Sequence, residues 1–119
     1  MAGMQAPEEI KLVRAERRLE VRFLGGQAYS LPAELLRIES PSAEVQGHGE
    51  GKTIVAGKAR VAITDVRPVG NYAVCLVFDD GHDTGLYSWE YLEMLGRNQD
   101  RIWAEYLAAL EARGLSREP

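Results

Sequence analysis

The first third of the chain interleaves apolar and polar side chains. Residues 10–14 (IKLVR), 19–23 (LEVRF) and 27–31 (QAYSL) each do so, as is typical of strands with one buried face. The glycine pair at 25 and 26 favours a tight turn between the second and third stretches. The pattern predicts a three-stranded meander, and Pro32 followed by good helix formers predicts a short helix after it.

A second meander is predicted between residues 60 and 87. Residues 60–67 (RVAITDVR) alternate, and residues 72–78 (YAVCLVF) form an almost unbroken apolar run, which indicates a central strand covered on both faces. The Asp-Asp-Gly turn at 79–81 then leads into a shorter predicted strand at 82–87.

Helical signals dominate the end of the chain. Ser88 is a predicted N-cap for a helix that ends at Gly96. Asn98 is a predicted N-cap for a second helix, over residues 99–113, which ends before Gly114. The last helix carries an apolar stripe: Ile102, Trp103, Tyr106, Leu107 and Leu110. Strands first and helices last indicate an α+β fold, with a small antiparallel sheet built from two meanders, a short helix after the third strand and two C-terminal helices.

Residues 39–58 (ESPSAEVQGHGEGKTIVAGK) are rich in glycine and charged side chains and predict a long, mobile loop. Within it, residues 47–53 end in the Gly-Lys-Thr of a phosphate-binding loop. The complete motif needs a glycine at position 46, which is Gln46, and also a strand before it and a helix after it. A flexible glycine-rich loop is the better interpretation.

Composition narrows the function classes. The 119 residues carry 14 Lys and Arg against 18 Asp and Glu, a net charge of −4, so we expect no nucleic-acid partner. Cys75 is the single cysteine, which excludes an intrachain disulfide and a cysteine-only metal cluster. No segment has the pattern of a signal peptide or a membrane span. A cytoplasmic protein without a membrane partner is therefore expected.

Carboxylates and an imidazole concentrate in Asp79-Asp80-Gly81-His82-Asp83. These side chains are common metal ligands, but Asp and Gly also suit the turn itself, and a lone His more often has a structural role. Cys75, in the middle of the apolar run, is expected to be an unreactive core residue. We predict that the functional face contains seven residues: Asn71, Asp79, Asp80, His82, Asp83, Tyr87 and Trp89.

The run Val69-Gly-Asn-Tyr-Ala-Val74, followed by Phe78-Asp-Asp-Gly-His-Asp-Thr-Gly-Leu-Tyr-Ser-Trp-Glu-Tyr-Leu92, resembles the gamma-butyrobetaine hydroxylase-like N-terminal domain. The resemblance covers residues 8–96. It leaves residues 97–114 as a C-terminal helix packed on that domain, and residues 1–7 and 115–119 as expected disordered ends.

In the dioxygenases that carry this domain, the resemblance implies a zinc ion held by three cysteines and the histidine of the signature. The histidine is His82, but the cysteine positions correspond to Ser40, Ser42 and Val45. Because hydroxyls and a valine cannot replace three thiolates, we expect no zinc site and no cofactor. The catalytic barrel of those dioxygenases is also absent, so we expect no hydroxylase activity.

Three functions follow from the resemblance. Relatives fused to Mrp-type P-loop ATPases suggest a non-enzymatic adaptor domain with a protein partner, accessory to iron–sulfur cluster or iron-protein assembly. The alternatives are a zinc- or iron-binding domain that uses His82, and a detached accessory domain of a 2-oxoglutarate-dependent dioxygenase. A single cysteine cannot hold a cluster by itself, so the adaptor interpretation is the first choice.

Overall fold

The structure is a computed structural model that describes residues 5–42 and 54–119. Its first meander consists of β1 (Glu9–Val13), β2 (Arg18–Arg22) and β3 (Ala28–Pro32), which pair antiparallel in that order. A short 3-10 turn joins β1 to β2, and there Arg17 takes a left-handed conformation with φ of 51°. Leu19 and Leu31 lie opposite each other and are fully buried, so the predicted apolar face points into the core.

The second meander consists of β4 (Ile63–Val69), β5 (Ala73–Phe78) and β6 (Leu86–Ser88), and it forms a sheet of its own. β5 is the central strand, as predicted. The expectation that it is covered on both faces is wrong at Cys75 and Val77, which are only half-buried. β6 has three residues, and irregular chain at 82–85 takes the place of the first part of the predicted strand.

Three α-helices lie within residues 5–42 and 54–119. The predicted short helix is α1 (Ala33–Ile38), and α2 (Trp89–Arg97) begins where the Ser88 hydroxyl accepts a hydrogen bond from the amide of Tyr91 at 3.1 Å. α2 does not end at Gly96. The ring of Tyr29 on β3 packs directly against this glycine, in the space that a side chain would occupy, which explains why a glycine lies within the helix.

The third helix, α3 (Gln99–Ala112), follows almost directly. Asn98 does not cap it with its side chain, which instead donates to the carbonyl of Met94 in α2 at 3.0 Å. Of the predicted apolar stripe, Ile102, Tyr106 and Leu110 are buried, whereas Leu107 remains 41% exposed. The face of α3 that carries Leu107 is therefore only partly covered.

Both sheets contribute to one core with the helices. It includes Val21 and Phe23 from the first meander, Leu76 and Phe78 from β5, and Leu92 from α2. The predicted α+β class is confirmed. Within the described residues, no helix is long and apolar enough to cross a membrane.

The loop predicted over 39–58 divides into described and undescribed parts. Residues 43–53, with the Gly-Lys-Thr run and Val45, lie outside the described residues. The preceding residues are not an exposed loop, since Ser40 is fully buried and Ser42 is 8% exposed. Following the loop, the carbonyl of Val55 accepts a hydrogen bond from the Tyr106 hydroxyl at 2.6 Å.

Residues 115–119, for which the sequence predicts disorder, lie against the rest of the fold. The carbonyls of Ser116 and Arg117 accept hydrogen bonds from the amides of Gly57 and Ala59, both at 2.9 Å. Gly114, at φ of 65°, allows the chain to turn back after α3. This C-terminal segment therefore connects the end of the molecule to the residues that follow the loop.

Candidate functional site

The signature histidine lies in a turn that closes the end of β5. The amide of Phe78 donates to the carbonyl of His82 at 2.9 Å, and the amide of Gly81 donates to the carbonyl of Phe78 at 3.1 Å. Gly81 takes φ of 91°, which a glycine accepts without strain. Asp80 completes the turn, because its carboxylate accepts the amide of His82 at 3.0 Å. The turn thereby fixes the direction of the His82 side chain.

The carboxylate of Asp80 is also an ionic link between three segments. Its Oδ2 lies 2.6 Å from Nζ of Lys58 and 2.8 Å from Nε of Arg37 on α1. Partial burial opposes ionisation of this carboxyl group, but the hydrogen bonds from Lys58, the His82 amide and Arg37 outweigh it and hold its pKa well below the ordinary value. Asp80 is therefore a structural anion at neutral pH.

His82 points into the protein. It is 5% exposed, and its Nε2 lies 2.8 Å from Oγ of Ser40 and 3.4 Å from Oγ of Ser42. Gly85 is required beside this cluster, because a Cβ there would approach Oγ of Ser40 to 2.4 Å. The sequence positions 40, 42 and 82, which the family resemblance relates to one another, are thus in direct contact.

Two tyrosines hold the serine-bearing segment in place. The Tyr87 hydroxyl donates to the carbonyl of Leu36 at 2.5 Å, and the Tyr91 hydroxyl donates to the carbonyl of Glu39. Burial raises the pKa of both tyrosines well above the ordinary value, so both remain hydroxyl donors at physiological pH. The predicted functional face did not include Tyr91, although it belongs to the same Tyr-Ser-Trp-Glu-Tyr run.

The remaining residues of the predicted face divide between interior and surface. Trp89 is buried, and its Nε1 donates to the carbonyl of Asn71 at 2.8 Å. Asp79 accepts the amide of Ala62 at 3.1 Å. Asp83 is exposed. Together with His82 and Tyr87, Trp89 faces inward, so the seven predicted residues do not form one continuous surface.

The zinc site implied by the resemblance can be tested on the donor atoms present. Ser40 and Ser42 offer neutral hydroxyls and His82 one imidazole nitrogen, whereas structural zinc requires four ligands drawn mainly from thiolate and imidazole. Within residues 5–42 and 54–119, no three His, Cys, Asp or Glu side chains come together to hold a metal ion. These residues fit neither zinc nor iron, and they satisfy one another by hydrogen bonds.

A serine hydroxyl 2.8 Å from an imidazole also resembles a catalytic dyad. Catalysis would require a substrate to reach the Ser40 oxygen, but Ser40 is fully buried. Cys75 is no better as a nucleophile. Burial, followed by the nearby Asp83 carboxylate, raises the pKa of its thiol, and its Sγ is hydrogen-bonded to the carbonyl of Asp83 at 3.1 Å.

An apolar strip lies on the face of the second sheet that points away from the core. Leu86 is paired with Cys75 across β5 and β6, and Val77 lies two residues further along β5, so the three side chains share one face. We name this the outer strip. Leu86 is 47% exposed, and Cys75 and Val77 are half-buried. Sequence reasoning missed Leu86, although it alternates with the buried Tyr87.

Comparisons with solved structures support this architecture. Two NMR solution structures match with a TM-score of 0.85: one is 48% identical over 98% of this chain and 93% of its own, the other 52% identical over 100% and 89%. A crystal structure from Acidithiobacillus ferrooxidans, a protein of unknown function in the DUF971 family, is 42% identical with a TM-score of 0.65 and covers 76% of this chain and 91% of its own.

Among curated proteins, none matches the chain. The model of one protein family does, and it spans residues 10–93, from the first strand through the Ser40 and His82 segments into α2. The chain therefore belongs to the gamma-butyrobetaine hydroxylase-like, N-terminal family.

Proposed function

We propose that this chain is a non-enzymatic protein-interaction domain whose partner takes part in iron–sulfur cluster or iron-protein assembly in the cytoplasm. The observation that carries the proposal is the outer strip. There the exposed Leu86 lies beside Cys75 and Val77 on a sheet face that the described residues leave partly uncovered. Exposed apolar side chains that cluster on a sheet face favour contact with another protein.

The polar chemistry of the signature supports a role in architecture. The hydroxyl of Ser40 and the imidazole of His82 bond to each other, and Asp80 is engaged by two cations and an amide. A general acid, base or nucleophile must reach its substrate. Buried groups that bond to one another stabilise the fold and do not meet a substrate. We therefore assign the function to binding at the surface of the domain.

The class of partner rests on the family. The resemblance relates the domain to Mrp-type ATPases that carry iron–sulfur clusters, and such a relation is an association. Cys75 alone cannot hold a cluster, and its thiol is already bonded to a backbone carbonyl. An adaptor that contacts an iron protein, and does not itself hold the iron, is consistent with both facts.

The test compares two exposed leucines. Leu86→Asp places a charge in the outer strip, whereas Leu24→Asp changes a leucine that is 52% exposed in the first meander and serves as the matched control. We expect wild-type chain and Leu24→Asp to bind a purified Mrp-type ATPase equally, and Leu86→Asp to bind at least about tenfold more weakly while melting normally. Equal binding by all three chains, or no binding by the wild type, would contradict the proposal.

A further inference from the structure

A groove lies between α1 and α3, and none of its lining residues belongs to the outer strip. Its volume is 480 Å³ and its lining includes Glu34, Trp103 and Leu107, with Arg117 of the C-terminal segment forming part of its wall. Glu34 belongs to the first turn of α1, and its side chain is 7% exposed. A carboxylate this deeply buried is costly to leave without a partner. The Glu34 carboxylate therefore requires a cation beside it.

The chain's own C-terminal segment supplies that cation. Arg117 donates from Nε and Nη2 to the two carboxylate oxygens of Glu34, at 2.9 and 2.7 Å. Its guanidinium carbon lies 5.1 Å from the ring centroid of Trp103. The hydrogen bond to Glu34 raises the pKa of Arg117 above its ordinary value. A bidentate carboxylate and an aromatic face are the two features that select a guanidinium over an ammonium.

The residues of this contact belong to different kinds of structure. Glu34 and Trp103 belong to helices, whereas Arg117 lies on the segment 115–119, whose backbone is joined to residues 57 and 59 by two hydrogen bonds. Glu118 adds only an exposed ion pair with Arg60 at 3.4 Å, and such pairs contribute little. Arg117 is thus held by its own contacts with Glu34 and Trp103 and by two backbone hydrogen bonds of its segment, and the same contacts are open to an arginine from another chain.

We propose that this groove is a docking site for an arginine-bearing segment of a partner protein, and that Arg117 covers its Glu34 end in the free chain. The partner's arginine would take the place of Arg117 on Glu34 and Trp103, and its flanking apolar residue would contact the exposed Leu107. The proposal rests on the proposed function, since it gives the interaction domain a second surface. It uses none of the residues of the outer strip, so each can fail without the other.

The first experiment uses the full-length variant Arg117→Ala and the capped peptide Ser-Arg-Glu-Pro. Binding is followed by the indole N–H resonance of Trp103, with that of Trp89, which is bonded to Asn71 inside the fold, as the internal control. We expect the peptide to shift Trp103 and leave Trp89 unchanged. The matched peptide Ser-Lys-Glu-Pro should bind at least about tenfold more weakly, because it lacks the bidentate fork. Adding Glu34→Gln should abolish the shift.

The second experiment uses the wild-type chain, which answers the question even if Arg117→Ala does not fold. A tethered segment competes at an effective concentration in the millimolar range, so we expect displacement only at high peptide concentration. It would be detected as movement of the Ser116, Arg117 and Glu118 amide resonances to random-coil positions.

Three results would overturn the proposal. These are a Trp103 resonance that does not respond in either chain, equal binding of the arginine and lysine peptides, and concentration-dependent dimerisation of the wild-type chain through exchanged C-terminal segments. Loss of ATPase binding in Leu86→Asp together with an unresponsive Trp103 would retain the proposed function and reject only this docking site.

Discussion

The Oγ of Ser40 lies 2.8 Å from the Nε2 of His82, although 42 residues separate them in the chain. Both side chains are buried, and Ser42 approaches the same nitrogen at 3.4 Å. The contact joins the segment after α1 to the turn after β5. Hydrogen bonds thus connect Ser40, Ser42 and His82, which correspond to metal-ligand positions in the family resemblance. We therefore expect these side chains to stabilise the fold.

His82→Ala is expected to lower the free energy of unfolding by about 1–3 kcal/mol, because it leaves the buried Ser40 hydroxyl without its imidazole partner. Thermal and urea melts would measure this loss. The control is Asp83→Ala, a change at the exposed neighbour, which should stay within about 0.5 kcal/mol of the wild type. A normal melt of His82→Ala combined with weaker partner binding would instead assign His82 to the functional face, as the sequence suggested.

The purified chain is expected to contain no stoichiometric zinc or iron and to fold without metal. Two hydroxyls and one imidazole bind these ions too weakly to retain them through dialysis. Elemental analysis and a melt with and without a chelator are the measurements. One equivalent of metal, with a lower melting temperature in the chelator, would contradict the prediction and favour the metal-binding alternative.

Gly96→Ala should destabilise the protein although it replaces a glycine in a helix. Alanine in place of glycine normally stabilises a helix by about 1 kcal/mol. Here the new Cβ would lie 2.2 Å from the Tyr29 ring, so either the ring or α2 must move, at a cost of about 1–3 kcal/mol. Urea melts of Gly96→Ala, Tyr29→Ala and the double variant should reveal coupling, with Gly96→Ala tolerated once Cγ of Tyr29, the atom nearest the new Cβ, is absent. Additive effects would contradict this explanation.

Asp80→Asn should weaken the fold at neutral pH, by about 1–2 kcal/mol for lost hydrogen bonds to charged partners. The contacts with Lys58 and Arg37 depress the pKa of Asp80 in the folded state. Its stabilising effect is therefore complete above the unfolded pKa of about 3.9 and is lost progressively as the pH falls from there toward the lower pKa of the folded state. Urea melts from pH 7 to pH 2 should show the wild type and Asp80→Asn converging in acid. A constant difference across that range would contradict the assigned role.

Much of the fold can be predicted from local patterns. Alternating apolar positions determine the two meanders, and Ser88 determines the start of α2, because both effects act over a few residues. The residues at which individual strands and helices begin and end were harder to predict. The sequence placed a helix end at Gly96, but this glycine lies within α2 and leaves room for Tyr29, a neighbour that is distant in sequence.

The sequence by itself determined the α+β class, the family and the identity of the signature residues. Only the tertiary structure decided their roles. Alternation indicated which face of a strand is buried, but the direction of turn side chains and the contacts of the chain end depend on packing between segments that lie tens of residues apart. This packing directs His82 and Trp89 inward and leaves Leu86 exposed on the outer strip. It also brings Arg117 into contact with Glu34, 83 residues away in the chain.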